Sequence, residues 1–465
     1  MIEFGHHIYR REGIIIPDFD FITTLLNIKS EDIEDLKVFT CKDSVAYHIT
    51  LKGRMPDCPC CGGKMISNGY GRIKPISHPT LIDSASKIMY KPHRYLCKAC
   101  RKTITQDNPF TFARFSSSYS LLNAIMNRLG NLNYTLDMIS KELHISPTQI
   151  NRYLDSYITI HRASLPECLG IDEIHNPEMS YKGSAYLCIM VDNEKRCIND
   201  VLGSRSKYYL DNYFYTYTKE EKDKVKYVSI DMWQSYRDLA YKHFRNCTVA
   251  VDPFHVIEHL CKDFRQVRIN IMNQCVYNSN AYYLLKKWNW LLEKDIRKVD
   301  LDNEPEYNRR FKMKLNRKQI LKMILDLSPV LNEAYYLKEK YRSFNKNMSY
   351  EEAVDNYDTL VKEFEDADIR EYYEFVNILK NWKTEILNSF LRPYDERKLS
   401  NAFCENVNGK IASYLMISRG ITNFERFRKR VLFALNPRIF YSLTNVLKSD
   451  KRTGKTRGQY RKVKE

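Results

Sequence analysis

The pattern of apolar and polar positions changes along the chain, and each change marks a different kind of structure. Up to about Asn108, short alternating runs such as Val45–Leu51 lie between turn residues, which predicts strands. A compact helical stretch follows from Ser117 to Tyr157, and short apolar runs return between Cys168 and Asp252. From Phe254 to about Leu391 the chain is charged, poor in Gly and Pro, and spaced as helices are. The chain is therefore predicted to be a multidomain protein with α+β and α/β parts.

The segment between Cys168 and Asp252 carries enough detail to predict a topology. Its apolar runs and helical spacing predict strands at Cys168–Ile171, Tyr186–Val191, Cys197–Leu202, Tyr227–Ile230 and Thr248–Val251, with helices at Lys207–Tyr217 and Ser235–His243. This β-β-β-α-β-α-β order is that of a ribonuclease-H-like domain, in which the first and fourth strands lie side by side. The long helical stretch that follows is then an all-α insertion in this domain.

Two aspartates and one glutamate suggest the chemistry of this domain. Asp172 ends the first predicted strand, Asp231 ends the fourth, and Glu405 starts a predicted helix far downstream. Neighbouring strands would bring Asp172 and Asp231 together, and close carboxylates repel unless cations neutralise them. Two Mg²⁺ (or Mn²⁺) ions held by the three acids could activate an attacking hydroxyl and stabilise the leaving oxygen of a phosphodiester.

Several neighbouring residues are alternatives or additions to these three acids. Glu173 could replace Asp172, and Asp252 competes with Asp231 because it also ends an apolar strand. Asp252 and His255 are therefore kept as a secondary site. Asn408, one helical turn after Glu405, could orient the carboxylate or touch substrate, and Lys410 is a further candidate. Other acids that could take the place of Glu405 are Glu258, Glu385 and Glu396.

Two cysteine pairs predict a structural zinc site. Cys58 and Cys61 form one CxxC pair, and Cys97 and Cys100 form the other. Each pair lies on a tight turn, and four thiolates close a tetrahedral Zn²⁺ site. The turn residues around both pairs resemble zinc-ribbon knuckles. Possible substitute ligands are Cys60, His78 and His93.

The helical stretch after the cysteines contains a candidate helix-turn-helix. Thr135–Leu143 is an amphipathic helix, His144-Ile145 is the turn, and Ser146 with Pro147 suits the start of a second helix. That second helix exposes residue types that read base edges or hold phosphates in a major groove: Thr148, Gln149, Asn151 and Arg152. An ordinary helical hairpin is the alternative. A stripe in the later helices, which includes Trp288, Trp290, Arg309 and Arg310, is interpreted as core and solvated face.

Composition points to nucleic acid as the partner. The 465 residues include 74 Lys+Arg and 57 Asp+Glu, for a formal charge of +17. Such a surplus favours a polyanion, with DNA ahead of an anionic membrane. The sequence shows neither a secretory signal nor an apolar run of the ~20 residues that a membrane helix needs. The 13 cysteines are an odd number and stand mostly singly. We therefore expect a cytoplasmic protein with no membrane partner.

Taken together, the ordered motifs resemble DDE-type insertion-sequence transposases, and most closely the ISL-three family. The matching segments are Gly170-Ile-Asp-Glu173, Ser229-Ile-Asp-Met232, Val251-Asp-Pro-Phe-His-Val256, Glu405-Asn-Val-Asn-Gly-Lys-Ile411 and Asn423-Phe-Glu-Arg-Phe-Arg428. The resemblance implies a zinc-ribbon, a helix-turn-helix and a catalytic domain in this order, with Asp172, Asp231 and Glu405 as the catalytic triad.

The resemblance also implies partners and domain bounds. The partners would be double-stranded DNA, both the terminal inverted repeats of the element and the target, and a second copy of the chain, in a homodimer or larger oligomer. A non-catalytic DNA-binding regulator derived from a transposase, or a nuclease without strand transfer, stays open. The predicted bounds are 1–110 (zinc-ribbon-like), 111–162 (helix-turn-helix), 163–262 and 398–445 (catalytic), 263–397 (insertion) and 446–465 (basic tail).

Overall fold

A computed structural model describes residues 2–4, 7–9, 19–81, 83–112, 115–176, 184–394, 396–418 and 420–441. The predicted basic tail lies outside these residues. The chain divides into two compact units, one formed by Met1–His161 with Ser413–Glu465 and the other by Arg162–Ala412. Helices and sheets are mixed in both, so the prediction of a mixed α and β protein is confirmed.

The first unit begins with strands arranged in small sheets. A four-stranded sheet has the order β3-β4-β7-β6 and packs its apolar face around Tyr47, Ile88 and Tyr90. A separate three-stranded sheet has the order β5-β8-β9. The elements up to this point are β1 (Ile2–Phe4), β2 (His7–Tyr9), α1 (Phe19–Leu26), β3 (Ile33–Cys41), β4 (Ser44–Leu51), β5 (Met65–Tyr70), β6 (Lys74–Leu81), β7 (Ser84–Tyr90), β8 (His93–Cys97) and β9 (Thr103–Thr105).

Three helices follow and share one apolar core. They are α2 (Tyr119–Leu129), α3 (Leu136–Leu143) and α4 (Pro147–Tyr157). The predicted cap Ser146 is confirmed, because its side chain accepts from the N–H of Gln149. Thr135, which was predicted as the first residue of α3, caps that helix instead and accepts from the N–H of Met138. His144 takes the left-handed conformation (φ 50°) that turns the chain between α3 and α4.

A helix from the carboxyl-terminal part of the chain, α17 (Phe424–Leu435), packs on α2 and α4 within the same unit. Its buried Arg430 donates to three backbone carbonyls, those of Arg128 (3.2 Å), Asn131 (3.0 Å) and Tyr134 (2.9 Å). These carbonyls belong to the last turn of α2 and to the connection between α2 and α3, so a single guanidinium ties α17 to this part of the chain.

The second unit is built on a five-stranded sheet of order β12-β11-β10-β13-β14. Neighbouring pairs from β12 to β10 are antiparallel, whereas β10, β13 and β14 run parallel. The first and fourth strands of the segment are therefore neighbours, as the sequence predicts. The strands are β10 (Cys168–His175), β11 (Tyr186–Asp192), β12 (Cys197–Leu202), β13 (Tyr227–Ile230) and β14 (Thr248–Val251), with α5 (Lys207–Tyr215), α6 (Lys219–Lys222) and α7 (Gln234–His243) between them.

One strand end differs from the prediction. β10 does not end at Asp172 but continues to His175, because β11 pairs with it as far as His175 and Tyr186. The parallel ladder with β13 stops earlier, at Gly170 and Ser229. Asp172 therefore lies inside an antiparallel hairpin but just beyond the end of a parallel ladder.

The long segment after β14 is mostly helical but is not all-α, so that part of the prediction is wrong. It contains a small hairpin, β15 (Glu306–Asn308) with β16 (Met313–Leu315). The sequence did not predict this hairpin because its turn contains no Gly. Lys312 takes the left-handed conformation (φ 55°) that Gly adopts more readily. The helices are α8 (Pro253–Gln274), α9 (Asn280–Lys287), α10 (Asn289–Glu293), α11 (Arg317–Leu325), α12 (Pro329–Asn347), α13 (Tyr350–Asp366), α14 (Tyr373–Asn381), α15 (Lys383–Asn388) and α16 (Ala402–Ile417).

Sheet and helices of this unit share one apolar core. Val251 of the sheet, Phe264 of α8 and Tyr341 of α12 belong to the same buried cluster. The side-chain amide of Asn388 donates to the carbonyl of Val249 (2.8 Å), which joins α15 to β14. The helical segment is therefore packed as part of the unit that carries the acidic residues.

Candidate active site

The carboxyl ends of the three parallel strands carry three aspartates. Asp172 and Asp231 lie two residues beyond the paired Gly170 and Ser229, and Asp252 follows the last residue of β14. The N–H of Asp252 still bonds the carbonyl of Ile230 (2.8 Å). Adjacent parallel strands therefore deliver the three side chains to one edge of the sheet, where sites in such sheets commonly form.

Asn401 and Gly170 fix the approach of α16 to this edge. Asn401 is fully buried, and its amide donates to the carbonyl of Ile171 (2.8 Å) and accepts from the Ser229 hydroxyl. A Cβ on Gly170 would lie 2.6 Å from Val191 and 2.7 Å from the Asn193 amide. Neither Asn401 nor the role of Gly170 was predicted from the sequence. The only local signal for Asn401 is a polar residue directly before a helix.

The helix α16 brings two polar side chains to the aspartates. Asn408 donates to the second carboxylate oxygen of Asp172 (2.9 Å), while the N–H of Glu173 binds the first (2.8 Å). Glu405 lies one turn before Asn408, and its N–H bonds the carbonyl of Asn401 (2.9 Å). The structure therefore brings Asp172, Asn408 and Glu405 to the same edge.

A second grouping lies beside the first. One ligand atom each from Asp252, His255 and Glu405 fall within 4.8 Å of one another. Asp252 caps α8 through Oδ1, which accepts from the N–H of Phe254 (3.3 Å). Asp252 Oδ2, His255 Nε2 and Glu405 Oε1 are buried and have no hydrogen-bond partner among the described residues.

Burial dominates the electrostatics of these acids. The pKa of Asp172 is raised to about 7, chiefly by desolvation and also by the neighbouring Asp231 and Asp252, against the lowering effect of the Glu173 N–H and His255. Burial likewise raises the pKa values of Asp231, Asp252 and Glu405 above their ordinary range. Four acids that resist ionisation at one place form a site that a cation would complete.

The alternative acids have other partners or positions. Glu173 forms an ion pair with Arg205, and Glu385 accepts from the Tyr241 hydroxyl (2.9 Å). Glu258 and Glu396 are both exposed, and a carboxylate oxygen of Glu258 lies 3.6 Å from His255 Nδ1. Glu405 itself, by contrast, has a carboxylate oxygen in the group with Asp252 and His255.

A comparison with known families now bears on this site. A family model described as Transposase, of the DDE type and the ISL-three family, matches residues 169–431. The chain belongs to this transposase family. The match includes Asp172, Asp231, Asp252 and Glu405, and so covers the whole acidic edge. No curated protein matches the transposase.

The cysteine cluster of the transposase has the geometry of a tetrahedral site. The sulfur atoms of Cys58, Cys61, Cys97 and Cys100 all lie within 4.8 Å of one another. Three of the sulfur pairs are 3.5–3.6 Å apart, and four ligands at ~2.3 Å from zinc would be ~3.8 Å apart. This cluster is compatible with structural zinc.

The two halves of the cluster are matching turns. Gly62 and Arg101 are in left-handed conformation (φ 70° and 59°), and their N–H groups bond the carbonyls of Cys58 (2.9 Å) and Cys97 (3.0 Å). In the first turn, the N–H of Cys60 leads the interactions that lower the pKa of the Cys58 thiol to about 6.

The predicted substitute ligands lie elsewhere. Cys60 is exposed and outside the cluster, His78 is buried against the Ser118 hydroxyl (3.0 Å), and His93 binds Glu34 (2.6 Å).

The predicted DNA-binding side chains of the transposase differ in their freedom. On α4, Thr148 and Arg152 are exposed and Asn151 is half-buried. The Gln149 amide donates to the hydroxyls of Tyr153 (2.8 Å) and Ser117 (3.2 Å), so it is engaged within its own unit.

Lys410 is exposed on α16. Among the residues that the structure describes, no helix is both long and apolar enough to cross a membrane.

Proposed function

We propose that this transposase cuts DNA at the ends of its element and joins them to target DNA, with Asp172, Asp231 and Glu405 as the catalytic acids. The observation that carries the proposal is the acidic edge, where two neighbouring strands and α16 contribute carboxylates with raised pKa values. The β-β-β-α-β-α-β order, with the first and fourth strands adjacent, supports a ribonuclease-H-like catalytic domain.

The chemistry assigns a simple task to each residue. Two Mg²⁺ or Mn²⁺ ions, when bound, would supply charge for activating the attacking hydroxyl and stabilising the leaving oxygen. Asp172, Asp231 and Glu405 hold that charge in place, and Asn408 keeps the Asp172 carboxylate oriented through its 2.9 Å hydrogen bond. Water would attack the phosphodiester at the element end, which leaves a 3′-hydroxyl on the element and a 5′-phosphate on the flanking DNA. That 3′-hydroxyl would then attack a target phosphodiester and displace a 3′-hydroxyl of the target strand, so no protein–DNA bond is needed.

The first unit is assigned to DNA binding. We infer that α4 enters a major groove, with Thr148, Asn151 and Arg152 facing DNA, and that the four cysteines hold one Zn²⁺ ion. Gln149 would reach a base only after exchanging its internal bonds. The substrate would be the terminal inverted repeats, held together by a dimer or larger oligomer at the nucleoid of a prokaryote. The domain bounds deduced from the sequence are kept as part of this proposal.

Substitution of Asp231 tests the catalytic assignment. The substrate is the DNA that flanks the coding region and carries the inverted repeats, and strand cleavage in Mg²⁺ is measured beside a gel-shift assay of end binding. Asp231→Asn is expected to lower cleavage at least ~1,000-fold, the scale of losing a transition-state electrostatic group, and to leave end binding nearly unchanged. Asp223→Asn, at the exposed end of α6, is the matched control.

Two outcomes would contradict the proposal. If Asp231→Asn cleaves at the wild-type rate, Asp231 is not the second catalytic aspartate. If the wild-type protein binds ends but never cleaves them, the chain is a DNA-binding regulator. A cleaved end covalently joined to target DNA is the product that distinguishes a transposase from a simple nuclease.

A further inference from the structure

We propose that Asp252, His255 and Glu405 bind one divalent cation directly, with His255 Nε2 as a ligand, so that this position takes Mn²⁺ in preference to Mg²⁺. The ligand set stands on the geometry of these three residues. It rests on the proposed function only for Glu405, which would belong both to this position and to the catalytic acids.

Local structure explains why Asp252 and His255 meet. Asp252 is the N-cap of α8, and His255 is the third residue of that helix. Side chains at these two positions approach each other, as in a capping box. Glu405 comes from the first turn of α16, so two helix starts supply all three ligand atoms.

Helix capping accounts for only one of the two carboxylate oxygens of Asp252. Capping uses Oδ1 alone, and Oδ2 has no hydrogen-bond partner among the described residues although Asp252 is only 2% exposed. A backbone interaction with the N–H of Asn401 lowers the pKa of this carboxyl, yet Oδ2 has no partner at full hydrogen-bond geometry in the described part of the chain. A buried carboxylate oxygen without a partner destabilises the fold, because it has lost its hydration without gaining a hydrogen bond. A bound cation would remove this penalty.

The other two ligand atoms have the same property. His255 Nε2 and Glu405 Oε1 are also buried without partners in the described part of the chain. Each of the three residues therefore contributes a ligand atom to a group within 4.8 Å and also has a buried polar atom without a partner, which is difficult to explain by packing alone. Ligands on one ion at ~2.1 Å would be about 3 Å apart, so small side-chain rotations suffice to close the set.

The second nitrogen of His255 supports a ligand role. His255 Nδ1 lies 3.6 Å from a carboxylate oxygen of Glu258. A carboxylate behind an imidazole favours the proton on the nitrogen that faces it, which leaves the lone pair of Nε2 directed to the cluster. Glu258 would thus position His255 without touching the ion.

Charge and ligand type indicate the kind of ion. Two carboxylates and a neutral imidazole carry the charge that a divalent cation neutralises. Mg²⁺ prefers oxygen ligands, whereas imidazole suits transition-metal ions. Asp172 and Asp231 remain for a second ion, since both lie near His255 but outside the set of three.

The test is direct binding of Mn²⁺ to the zinc-loaded full chain without DNA, followed by electron paramagnetic resonance. The wild-type protein is expected to bind one more Mn²⁺ than His255→Ala or Asp252→Asn, or to bind that ion at least tenfold more tightly. His259→Ala is the matched control, because His259 lies one turn further along α8 and is half-buried like His255. Pulsed measurements on the wild-type protein should show ¹⁴N coupling to the bound Mn²⁺.

A change of ligand type tests the ion preference. His255→Asp gives an all-oxygen set, so the ratio of Mn²⁺ to Mg²⁺ affinity is expected to fall at least tenfold. Wild-type affinity in His255→Ala, or Mn²⁺ without ¹⁴N coupling, overturns the proposal. The coupling measurement decides the matter even if a variant does not fold.

Asp231→Asn separates this inference from the proposed function. That variant should keep the ¹⁴N-coupled Mn²⁺ while losing cleavage. If it cleaves normally and keeps the ion, the catalytic assignment fails and the ion site stands. If it loses cleavage and the wild-type protein shows no coupled ion, the ion site fails and the catalytic assignment stands.

Discussion

At the scale of single residues, Gly170 is required because Val191 of β11, Asn193 and Asn401 leave no room for a side chain at this position of β10. A Cβ there would meet Val191 at 2.6 Å and Asn193 at 2.7 Å. Gly170→Ala is therefore expected to lower the free energy of unfolding by about 1–3 kcal/mol. Gly409→Ala is the control, since a Cβ at Gly409 meets nothing within 4 Å and the helix should gain about 0.5–1 kcal/mol. Chemical denaturation measures both, and equal effects would contradict the explanation.

The buried His78 predicts how stability depends on pH. Burial lowers its pKa to about 4, below the ordinary value of about 6.5. The folded protein then binds the proton more weakly than the unfolded chain does, so stability is full above pH ~6.5 and is lost as the pH falls toward 4. From pH 7 to pH 5 the loss should be about 2 kcal/mol. Denaturation of His78→Asn should show a pH dependence smaller by this amount, and an unchanged dependence would refute the assignment.

At the scale of elements, the sheet β5-β8-β9 depends on the cysteine cluster. Among the described residues, its buried apolar core comprises Cys58, Met65, Tyr95 and Cys97, with the half-buried Ile104 packed against it, so two of the four buried members are ligand candidates. Such a small core holds little stability without a metal. Cys97→Ser is expected to abolish zinc binding and weaken DNA-end binding at least tenfold, whereas Cys60→Ser should keep both. Atomic absorption measures the zinc content of each variant, and a gel-shift assay measures its binding to DNA ends. If Cys97→Ser retains zinc, the predicted role of Cys97 as a ligand is wrong.

At the scale of the whole molecule, the two compact units predict two unfolding transitions. The cysteine cluster lies in one unit and the Asp252–His255–Glu405 set lies in the other. A ligand stabilises the unit that binds it, by mass action. In calorimetry, zinc removal should therefore lower one transition, and added Mn²⁺ should raise the other. A single transition that responds to both metals would show that the units unfold together.

Local patterns in the sequence determined much of this protein. The strands β12, β13 and β14, the cap Ser146 and the paired cysteines depend on neighbours within a few residues, and all were predicted. The strand order also predicted the adjacency of the first and fourth strands, because the β-β-β-α-β-α-β order is that of a ribonuclease-H-like domain, in which those strands are neighbours. The turn at Lys312 was not predicted, because lysine is not a residue type that indicates a left-handed conformation.

The tertiary structure alone decided what surrounds the acids. Asp252 and Glu405 are far apart in the sequence, and no periodic pattern relates the cap of α8 to the first turn of α16. Their approach depends on Asn401, whose side chain forms hydrogen bonds with β10 and β13. It also depends on the absence of a side chain at Gly170, which Asn401 approaches closely. The sequence determined which carboxylates and thiols are available. Packing decided which of them meet, because contacts between distant segments depend on burial and close approach that no local pattern records.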